Sequence, residues 1–282
     1  MANILDTIVA DKQLEVAQQK QAVSLEQLQD QITDLPKCRN FIKAVTQAHA
    51  RGINVIAEVK KASPSAGLIR ADFDPVAIAR IYEASGASAI SVLTDEKYFQ
   101  GKLAYLTAVK QAVSVPVLRK DFIIDPYQIY EARVAGADAI LLIADALNTA
   151  QLSDLMILAT KLSLSILLEV HDAERLLQVR SMIGFPEAGY SVLGINNRNL
   201  TTMEVNIDTF GRLASLLEEH QGIVAESGIK TRAHVKKLKA AGATAVLIGQ
   251  TLCEHPDIAE AFQELFDPQG PSPDSRTPNA EL

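Results

Sequence analysis

The sequence has few cysteines, little basic charge and no long uncharged apolar run. Only Cys38 and Cys253 are cysteines among its 282 residues, and their wide separation excludes a disulfide framework and a cysteine metal site. Lys and Arg number 27 against 34 Asp and Glu, and this acidic balance argues against a nucleic-acid-binding surface. A small anion remains a suitable ligand, because a few converging basic side chains suffice to bind one. No uncharged apolar stretch approaches the roughly 18–20 residues that span a bilayer.

The first residues of the chain bear on its location. Asp6, Asp11 and Lys12 interrupt the apolar residues there, so the sequence lacks the apolar core of a signal peptide. The low cysteine content suits a reducing compartment. We therefore expect a cytoplasmic protein, or an organellar one if a transit peptide has been removed.

Apolar runs that each stop at polar residues are the main positive feature of the sequence. Runs of about 4–8 apolar residues are typical of buried parallel strands. The polar residues that end five of these runs are Glu58 with Lys60, Arg119 with Lys120, Glu169, Asn196 with Arg198, and Glu226. The carboxyl ends of parallel strands are where α/β barrels and open sheets carry their chemistry, so these residues define a candidate site.

A repeated joint between helix and strand predicts the fold. Similar motifs stand at Ser85–Ile90, Ala135–Ile140 and Ala241–Val246, where Gly accepts a left-handed helix cap and small Ala residues allow close packing. Eight candidate strands start near Ile53, Ser88, Val115, Asp138, Leu164, Ser191, Gly222 and Thr244. Eight βα units predict an α/β fold, a (β/α)8 TIM barrel, with a doubly wound sheet as the alternative.

The chain divides into three predicted parts. Residues 1–50 form an N-terminal helical extension that packs on the barrel, with helices expected at Ile4–Gln21, Leu25–Leu35 and Phe41–Ala50. Residues 51–266 form the barrel. Residues 267–282 are rich in Pro, Ser and Asp, contain no apolar run, and are expected to be a disordered tail.

Opposite charges are expected to meet at the carboxyl ends of the strands. Glu58 and Lys60 are two apart on one strand and therefore point to the same side. Alone, such a pair is as consistent with a structural ion pair as with a site. Lys120 and Glu169 end two further strands, and the convergence of all four charges favours a functional site.

Two other groups of residues suggest substrate binding. Glu226-Ser227-Gly228 and the loop at Gly249 follow the last two strands, where barrels often bind phosphate through backbone N–H groups. Each glycine motif alone is weak, since a glycine there is more often only a turn. Asn196 and Arg198 suit a hydroxyl and a carboxylate, although taken alone they read more readily as a polar loop.

Other catalytic constellations are missing from the sequence. It contains no Ser/His/Asp order of a hydrolase, no Glu/His metal spacing and no dinucleotide fingerprint, so we expect no cofactor and no metal. His171 is expected in the loop after the fifth strand, in a structural role. His49, His220, His234 and His255 fall in or beside predicted helices and are expected at the surface.

Six motifs in this order resemble the indole-3-glycerol-phosphate synthase family of tryptophan biosynthesis. They are Ile56–Ser65, Leu93–Asp95 with Tyr98-Phe99, Leu118–Phe122, Leu168–His171, Gly194–Leu200 and Glu226–Ile229. The resemblance covers about residues 1–266. It implies conversion of 1-(2-carboxyphenylamino)-1-deoxyribulose 5-phosphate to indole-3-glycerol phosphate, with loss of carbon dioxide and water and without cofactor or metal.

The resemblance also implies roles for single residues. Lys120 resembles the general acid that protonates the ribulose carbonyl, Glu169 the acid/base group of the dehydration, and Lys60 the group that binds the anthranilate carboxylate and can donate a proton. The residues that resemble orienting groups are Glu58, Asn196 and Glu226; those that resemble substrate contacts are Arg198, the apolar walls Phe99 and Phe122, and the phosphate loops with Ser227, Gly228, Gly249 and nearby Ser63. A lysine near other cations has a lowered pKa, which would suit proton donation near neutral pH.

One position departs from the family pattern. The family often has Lys directly after Ser-Pro-Ser, where this chain has Ala66, so any phosphate contact there is expected to be absent or supplied by Lys61 or Arg70. The implied partners are a small phosphosugar substrate and other enzymes of the tryptophan pathway, with no nucleic acid and no membrane.

Three alternatives fit less well. Phosphoribosylanthranilate isomerase chemistry would need a Cys on an early strand, whereas Cys38 precedes the barrel. A Schiff-base aldolase would need a lysine late in the barrel, commonly on the sixth strand, which ends at Asn196. A non-catalytic phosphosugar sensor would keep the glycine loops and lose the acid/base set, but Lys60, Lys120 and Glu169 are all present.

Overall fold

The computed structural model describes residues 4–199, 202–217 and 222–267, which contain a closed barrel of eight parallel strands. The barrel strands are β1 (Asn54–Val59), β2 (Ala89–Leu93), β3 (Val117–Lys120), β4 (Ala139–Ile143), β5 (Ser165–Val170), β6 (Ser191–Asn196), β7 (Ile223–Glu226) and β8 (Ala245–Ile248). Each strand pairs with the next in sequence, and β8 closes the barrel by pairing with β1 at Asn54↔Ala245.

The predicted (β/α)8 barrel is confirmed, and the doubly wound alternative is wrong. Every barrel strand begins within two residues of its predicted start. The largest difference is at β3, which begins at Val117 and not at Val115. Pro116 explains it, because proline has no N–H to donate to the ladder. A short hairpin of Ala62–Ser63 and Gly67–Leu68, which the patterning did not predict, follows β1.

The described residues form thirteen α-helices beside the strands. They are α1 (Ile4–Ala22), α2 (Leu25–Ile32), α3 (Phe41–Thr46), α4 (Pro75–Ala84), α5 (Glu96–Phe99), α6 (Leu103–Ala112), α7 (Pro126–Val134), α8 (Thr149–Lys161), α9 (Ala173–Val179), α10 (Asp208–Ala214), α11 (Arg232–Ala240), α12 (Gln250–Cys253) and α13 (Ile258–Phe266), with 3-10 turns at Ala144–Ala146 and Arg180–Met182. Within the described ranges no helix combines the length and the apolarity that crossing a bilayer needs. The predicted disordered tail lies outside the described residues, apart from Asp267.

The described residues form three hydrophobic clusters; a small one joins Val16, Leu28 and Tyr127, and the two large ones lie on either side of the barrel wall. One fills the layer between strands and helices, and the other fills the barrel interior. The inner core includes Phe41 and Val45 of α3, which are completely buried. The same helix contacts β1, and the Asn54 side chain donates to the Gln47 carbonyl, so α3 closes the amino-terminal end of the barrel. Helix α3 ends at Thr46, four residues before the predicted Ala50.

Helix α1 lies at the opposite end and is attached by a buried lysine. Lys12 is 1% exposed, and its Nζ lies 2.9 Å from Asp95 and 3.0 Å from Asp121, which follow β2 and β3. Asp121 also pairs with Arg119 at 3.1 Å. Burial opposes ionisation of Asp121, but Arg119 and Lys12 outweigh it and lower the pKa of its carboxyl to about 2. The N-terminal extension is therefore fixed by ionic contacts as well as by apolar packing.

Replacing Lys12 by Ala should lower the free energy of unfolding by about 3–5 kcal/mol, because it removes the ammonium from the buried carboxylate of Asp95 and leaves Asp121 with Arg119 as its cation. Urea unfolding followed by circular dichroism measures the loss. The matched control is Lys20→Ala on the same helix, where the pair with Asp125 is largely exposed and should contribute less than about 1 kcal/mol. Equal losses for the two variants would show that the Lys12 contacts do not stabilise the fold.

Candidate active site

A cavity of about 900 Å³ opens at the carboxyl ends of the barrel strands. All the site residues proposed from sequence line it: Glu58, Lys60, Ser63, Phe99, Lys120, Phe122, Glu169, Asn196, Arg198, Glu226, Ser227, Gly228 and Gly249. They come from β1, β3, β5, β6 and β7, from α5, and from loops that follow strands. The parallel strands place them together because all carboxyl ends lie at the same rim.

Lys120 lies among carboxylates. Its Nζ is 3.1 Å from Glu169 Oε2 and 3.5 Å from Glu226 Oε2. Burial disfavours the ammonium, but Glu169, Glu226 and Glu58 outweigh burial and raise the pKa of Lys120. The expectation of a lysine pKa lowered by neighbouring cations is therefore wrong for this residue, because its nearest charged neighbours are anions. Lys120 carries its proton throughout the neutral range.

The pKa values of the two glutamates beside Lys120 are shifted in opposite directions. Burial raises the pKa of both, but Glu169 also faces Lys120 and accepts a 3.0 Å hydrogen bond from Asn196 Nδ2, so its pKa is lowered. Glu226 has no such hydrogen bond, and burial together with the charge of Glu169 holds its pKa well above the ordinary value. The surroundings therefore favour the ionised form of Glu169 and disfavour the ionised form of Glu226.

A second charged pair lies against an aromatic wall. Lys60 Nζ is 2.7 Å from Glu58 Oε1 and 5.8 Å from the centre of the Phe99 ring. The Phe99 and Phe122 rings are 6.1 Å apart, tilted against each other. Helix α1 adds Leu5 and Ile8 to the cavity lining. This side of the cavity suits a flat aromatic group that carries a carboxylate, with the ammonium facing that carboxylate.

The opposite side is formed by loops after β7 and β8. Ser227 and Gly228 are consecutive left-handed residues, with φ of 65° and 74°, and they turn the chain at the cavity wall. Lys230 and His234 also line the cavity. His234, which was expected at the surface, is partly exposed, and its Nδ1 lies 3.1 Å from the Gly228 carbonyl, which brings the ring to the loop. Sequence patterning missed both residues because they stand in a loop and a helix whose local polarity looks ordinary.

Neither candidate substitute for a lysine at Ala66 lines the cavity. Arg70 instead donates to the carbonyls of Cys253 and His255 and pairs with Asp72. Ala66 itself lines the cavity, where its N–H donates to Ser63 Oγ at 3.1 Å. Lys230 and Arg198, which both line the cavity, supply positive charge that could bind a phosphate in place of that lysine.

Asn196 and Arg198 contribute unequally to the site. Asn196 holds Glu169 through its amide and accepts a 2.9 Å hydrogen bond from the Arg198 N–H. The Arg198 guanidinium donates to the Met203 carbonyl at 3.1 Å, and burial lowers its pKa. The interpretation as a mere polar loop is therefore insufficient, since both side chains line the cavity.

His171 lies where the sequence predicted, directly after β5. Its Nδ1 is 2.9 Å from Asp145 Oδ2, and Arg175 lies 3.3 Å from the other oxygen of Asp145. Burial opposes protonation, but Asp145 and Asp172 outweigh it and raise the pKa of His171. The cluster is an ion-paired group beside the cavity rim, in agreement with a structural role.

Comparison with known proteins gives a consistent result. The family model for indole-3-glycerol phosphate synthase matches residues 5–265. A protein of Rhodopirellula baltica named indole-3-glycerol phosphate synthase is 46% identical over 263 residues, which cover 93% of this chain and 98% of that protein.

Solved structures share the fold at low sequence identity. A 3-hexulose-6-phosphate synthase has a TM-score of 0.58 at 16% identity, and the match covers 76% of this chain and 98% of that one. The N-acetylmannosamine-6-phosphate 2-epimerase of Clostridium perfringens has a TM-score of 0.57 at 13% identity, over 78% of this chain and 93% of that one. At these identities the likeness shows the barrel alone.

The opposite pKa shifts of Glu169 and Glu226 predict opposite effects of isosteric amide substitutions on stability. A lowered pKa means that the stabilisation by ionised Glu169 is fully present above its ordinary value of 4.5 and is lost as pH falls through the lowered pKa, so Glu169→Gln should destabilise the protein by a constant amount above pH 5 and by less at lower pH. A raised pKa means that Glu226 loses stabilising effect as pH rises above 4.5, so Glu226→Gln should become more stable relative to the unsubstituted protein over the same range.

Thermal unfolding of both variants from pH 3 to 8 measures this difference, with the unsubstituted protein as the reference at each pH. The same pH dependence in both variants would contradict the opposite pKa shifts of the two glutamates.

Proposed function

The chain belongs to the indole-3-glycerol phosphate synthase family, and we propose that its barrel cavity carries out the family's reaction through Lys120, Glu169 and Lys60. As a member of that family it is a carboxy-lyase of tryptophan biosynthesis that acts on a small-molecule substrate. It converts 1-(2-carboxyphenylamino)-1-deoxyribulose 5-phosphate to indole-3-glycerol phosphate with loss of carbon dioxide and water.

The observation that carries the proposed roles is the position of Lys120. Its ammonium lies within 3.5 Å of two glutamates, in a cavity with an aromatic wall at one side and the β7 and β8 loops at the other. A substrate with an aromatic carboxylate at one end and a phosphate at the other fits that polarity. Its ribulose carbonyl would then lie between the two ends, where Lys120 can reach it.

Ring closure is assigned to Lys60 and Lys120. The Lys60 ammonium binds the anthranilate carboxylate, and Phe99 and Phe122 hold the aromatic ring. The ring carbon that carries the carboxylate attacks the ribulose carbonyl, and the carbonyl oxygen takes a proton from Lys120 and becomes a hydroxyl. A raised lysine pKa keeps the donor protonated, and the developing alkoxide is basic enough to accept that proton. Loss of carbon dioxide then restores the aromatic ring.

Dehydration is assigned to Glu169 together with a lysine. The hydroxyl leaves as water after it is protonated by Lys60, or by Lys120 once that lysine has taken up a new proton from solvent, and Glu169 accepts the proton that the nitrogen-containing ring gives up as the indole forms. Glu169 suits the base because its carboxylate is ionised at neutral pH. Asn196 fixes the orientation of that carboxylate, and Glu58 does the same for Lys60. Glu226 completes the set as a group that orients Lys120.

The phosphate is assigned to the side of the cavity opposite the aromatic wall. Ser227, Gly228 and Gly249 supply backbone and hydroxyl donors there, Ser63 adds a hydroxyl from the hairpin that follows β1, and Arg198 contacts the substrate. Lys230 and His234 extend this set, because both line the same cavity. A phosphate bound there would face the positive charges of Arg198 and Lys230.

Three further features belong to the same proposal. We assign residues 1–50 to an extension that packs on a barrel of residues 51–266. We assign the protein to the cytoplasm, in keeping with Cys38 and Cys253 as free thiols. Association with other enzymes of the tryptophan pathway is proposed from the family's pathway alone.

The reaction itself gives a direct assay. Purified protein incubated with the carboxyphenylamino-deoxyribulose phosphate, in buffer without added metal, should develop indole fluorescence. A product of the expected mass, identified by mass spectrometry, controls for fluorescent contaminants. The proposal fails if authentic substrate gives no fluorescence above the level of a heat-denatured sample.

Lys120→Ala should lower kcat by about 10²- to 10⁴-fold and leave KM largely unchanged, because it removes a proton donor and keeps both substrate-binding ends. Steady-state kinetics at pH 7 measure both constants. Lys161→Ala, at an exposed position on α8, is the matched control and should retain the original kcat. Near-normal turnover of the Lys120 variant would exclude Lys120 as the acid.

A further inference from the structure

Gly194 lies in the middle of the site without a side chain of its own. It is a buried residue of β6, in register with Glu169 of β5 on one side and Val224 of β7 on the other. Glu226 follows Val224 by two residues on β7, so Gly194 stands close to both glutamates of the proposed site.

The space beside Gly194 is occupied by Glu226. A Cβ built on Gly194 would lie under 3.0 Å from Glu226 Oε1 and 3.5 Å from Glu226 Cδ. Real Cβ atoms do not approach other atoms so closely, so any side chain at this position would displace the carboxyl group. The other close atom is Leu167 Cδ1 at 3.0 Å, which is the end of a flexible side chain and can move by a small amount.

Backbone conformation does not account for a glycine here. Nine described glycines have positive φ, and Gly194 is not among them. Strand geometry is open to every residue type, and glycine weakens a strand because it adds no packing and gains no conformational advantage. A glycine in a strand interior often marks a place where another group approaches the backbone closely, and the group that approaches here is the Glu226 carboxyl.

We propose that Gly194 is a positioning residue whose missing side chain leaves the space that keeps the Glu226 carboxyl beside Lys120 and Glu169. This inference rests on the proposed role of Glu226 in orienting Lys120. A methyl group in that space moves the carboxyl by about 1 Å to restore van der Waals contact, and Glu226 then leaves its position 3.5 Å from Lys120. The neighbouring Gly249 has the same relation to Glu58.

The test begins with Gly194→Ala. We expect kcat to fall about 100-fold, the usual effect of moving a reacting-site group by about 1 Å, while KM for the carboxyphenylamino-deoxyribulose phosphate changes little. The matched control is Gly211→Ala on α10, where the new methyl group would meet only Ala241 Cβ at 3.7 Å. The control should retain the original kcat. A normal kcat in Gly194→Ala would overturn the inference.

A double-mutant cycle separates positioning of Glu226 from general damage to the strand. In the Glu226→Ala background the displaced carboxyl is gone, so adding Gly194→Ala should cost less than about threefold in kcat. A further 100-fold loss there would overturn the inference, because the effect would not pass through Glu226.

The cycle also covers failure to fold. If Gly194→Ala alone is unfolded by circular dichroism, Glu226→Ala should restore folding in the double variant, and an unfolded double variant would overturn the inference. A near-normal kcat in Glu226→Ala alone would instead reject the proposed role of Glu226. A low kcat in Glu226→Ala together with a normal kcat in Gly194→Ala would reject the inference about Gly194 and leave the proposed role of Glu226 standing.

Discussion

The buried ion pairs around Asp121 fix the strand end on which the site depends. Lys12 and Arg119 both bind this carboxylate, and Thr94 donates to it as well. Arg119 and Asp121 are the two neighbours of Lys120 in the chain, so both flanks of the proposed acid are tied to buried groups. An unpaired charge at this depth would cost several kcal/mol, which makes the arrangement sensitive to the loss of any single partner.

Negative charge around Lys120 governs the chemistry of the cavity. The charges of Glu169, Glu226 and Glu58 all act on this lysine, and their mutual repulsion disfavours ionisation of Glu226, whereas Glu169 accepts the hydrogen bond of Asn196. The same crowding keeps Lys120 charged. Proton transfers in such a cluster are shared among neighbours, because a change of ionisation at one group alters the free energy of the others.

Much of the fold and the site followed from the ends of apolar runs. The carboxyl end of a strand can be located from the sequence alone, so Glu58, Lys120 and Glu169 could be placed at the rim of the barrel without knowing which strands pair. Contacts between distant segments leave no such local pattern. Lys12 reads as an ordinary solvent-facing lysine of a helix, Leu5 and Ile8 as one apolar face among many, and Gly194 as a weak strand residue. The direction of the pKa shift of Lys120 could not be predicted from the sequence, because it depends on which charges lie nearest in space.

Helix α3 makes its contacts with parts of the chain that are synthesised after it. Phe41 and Val45 fill the barrel interior, which exists only after β8 has paired with β1. Lys12 likewise finds its partners at Asp95 and Asp121, which a ribosome produces more than 80 residues later. These contacts of α1 and α3 can therefore form only after the later segments that supply their partners have been synthesised.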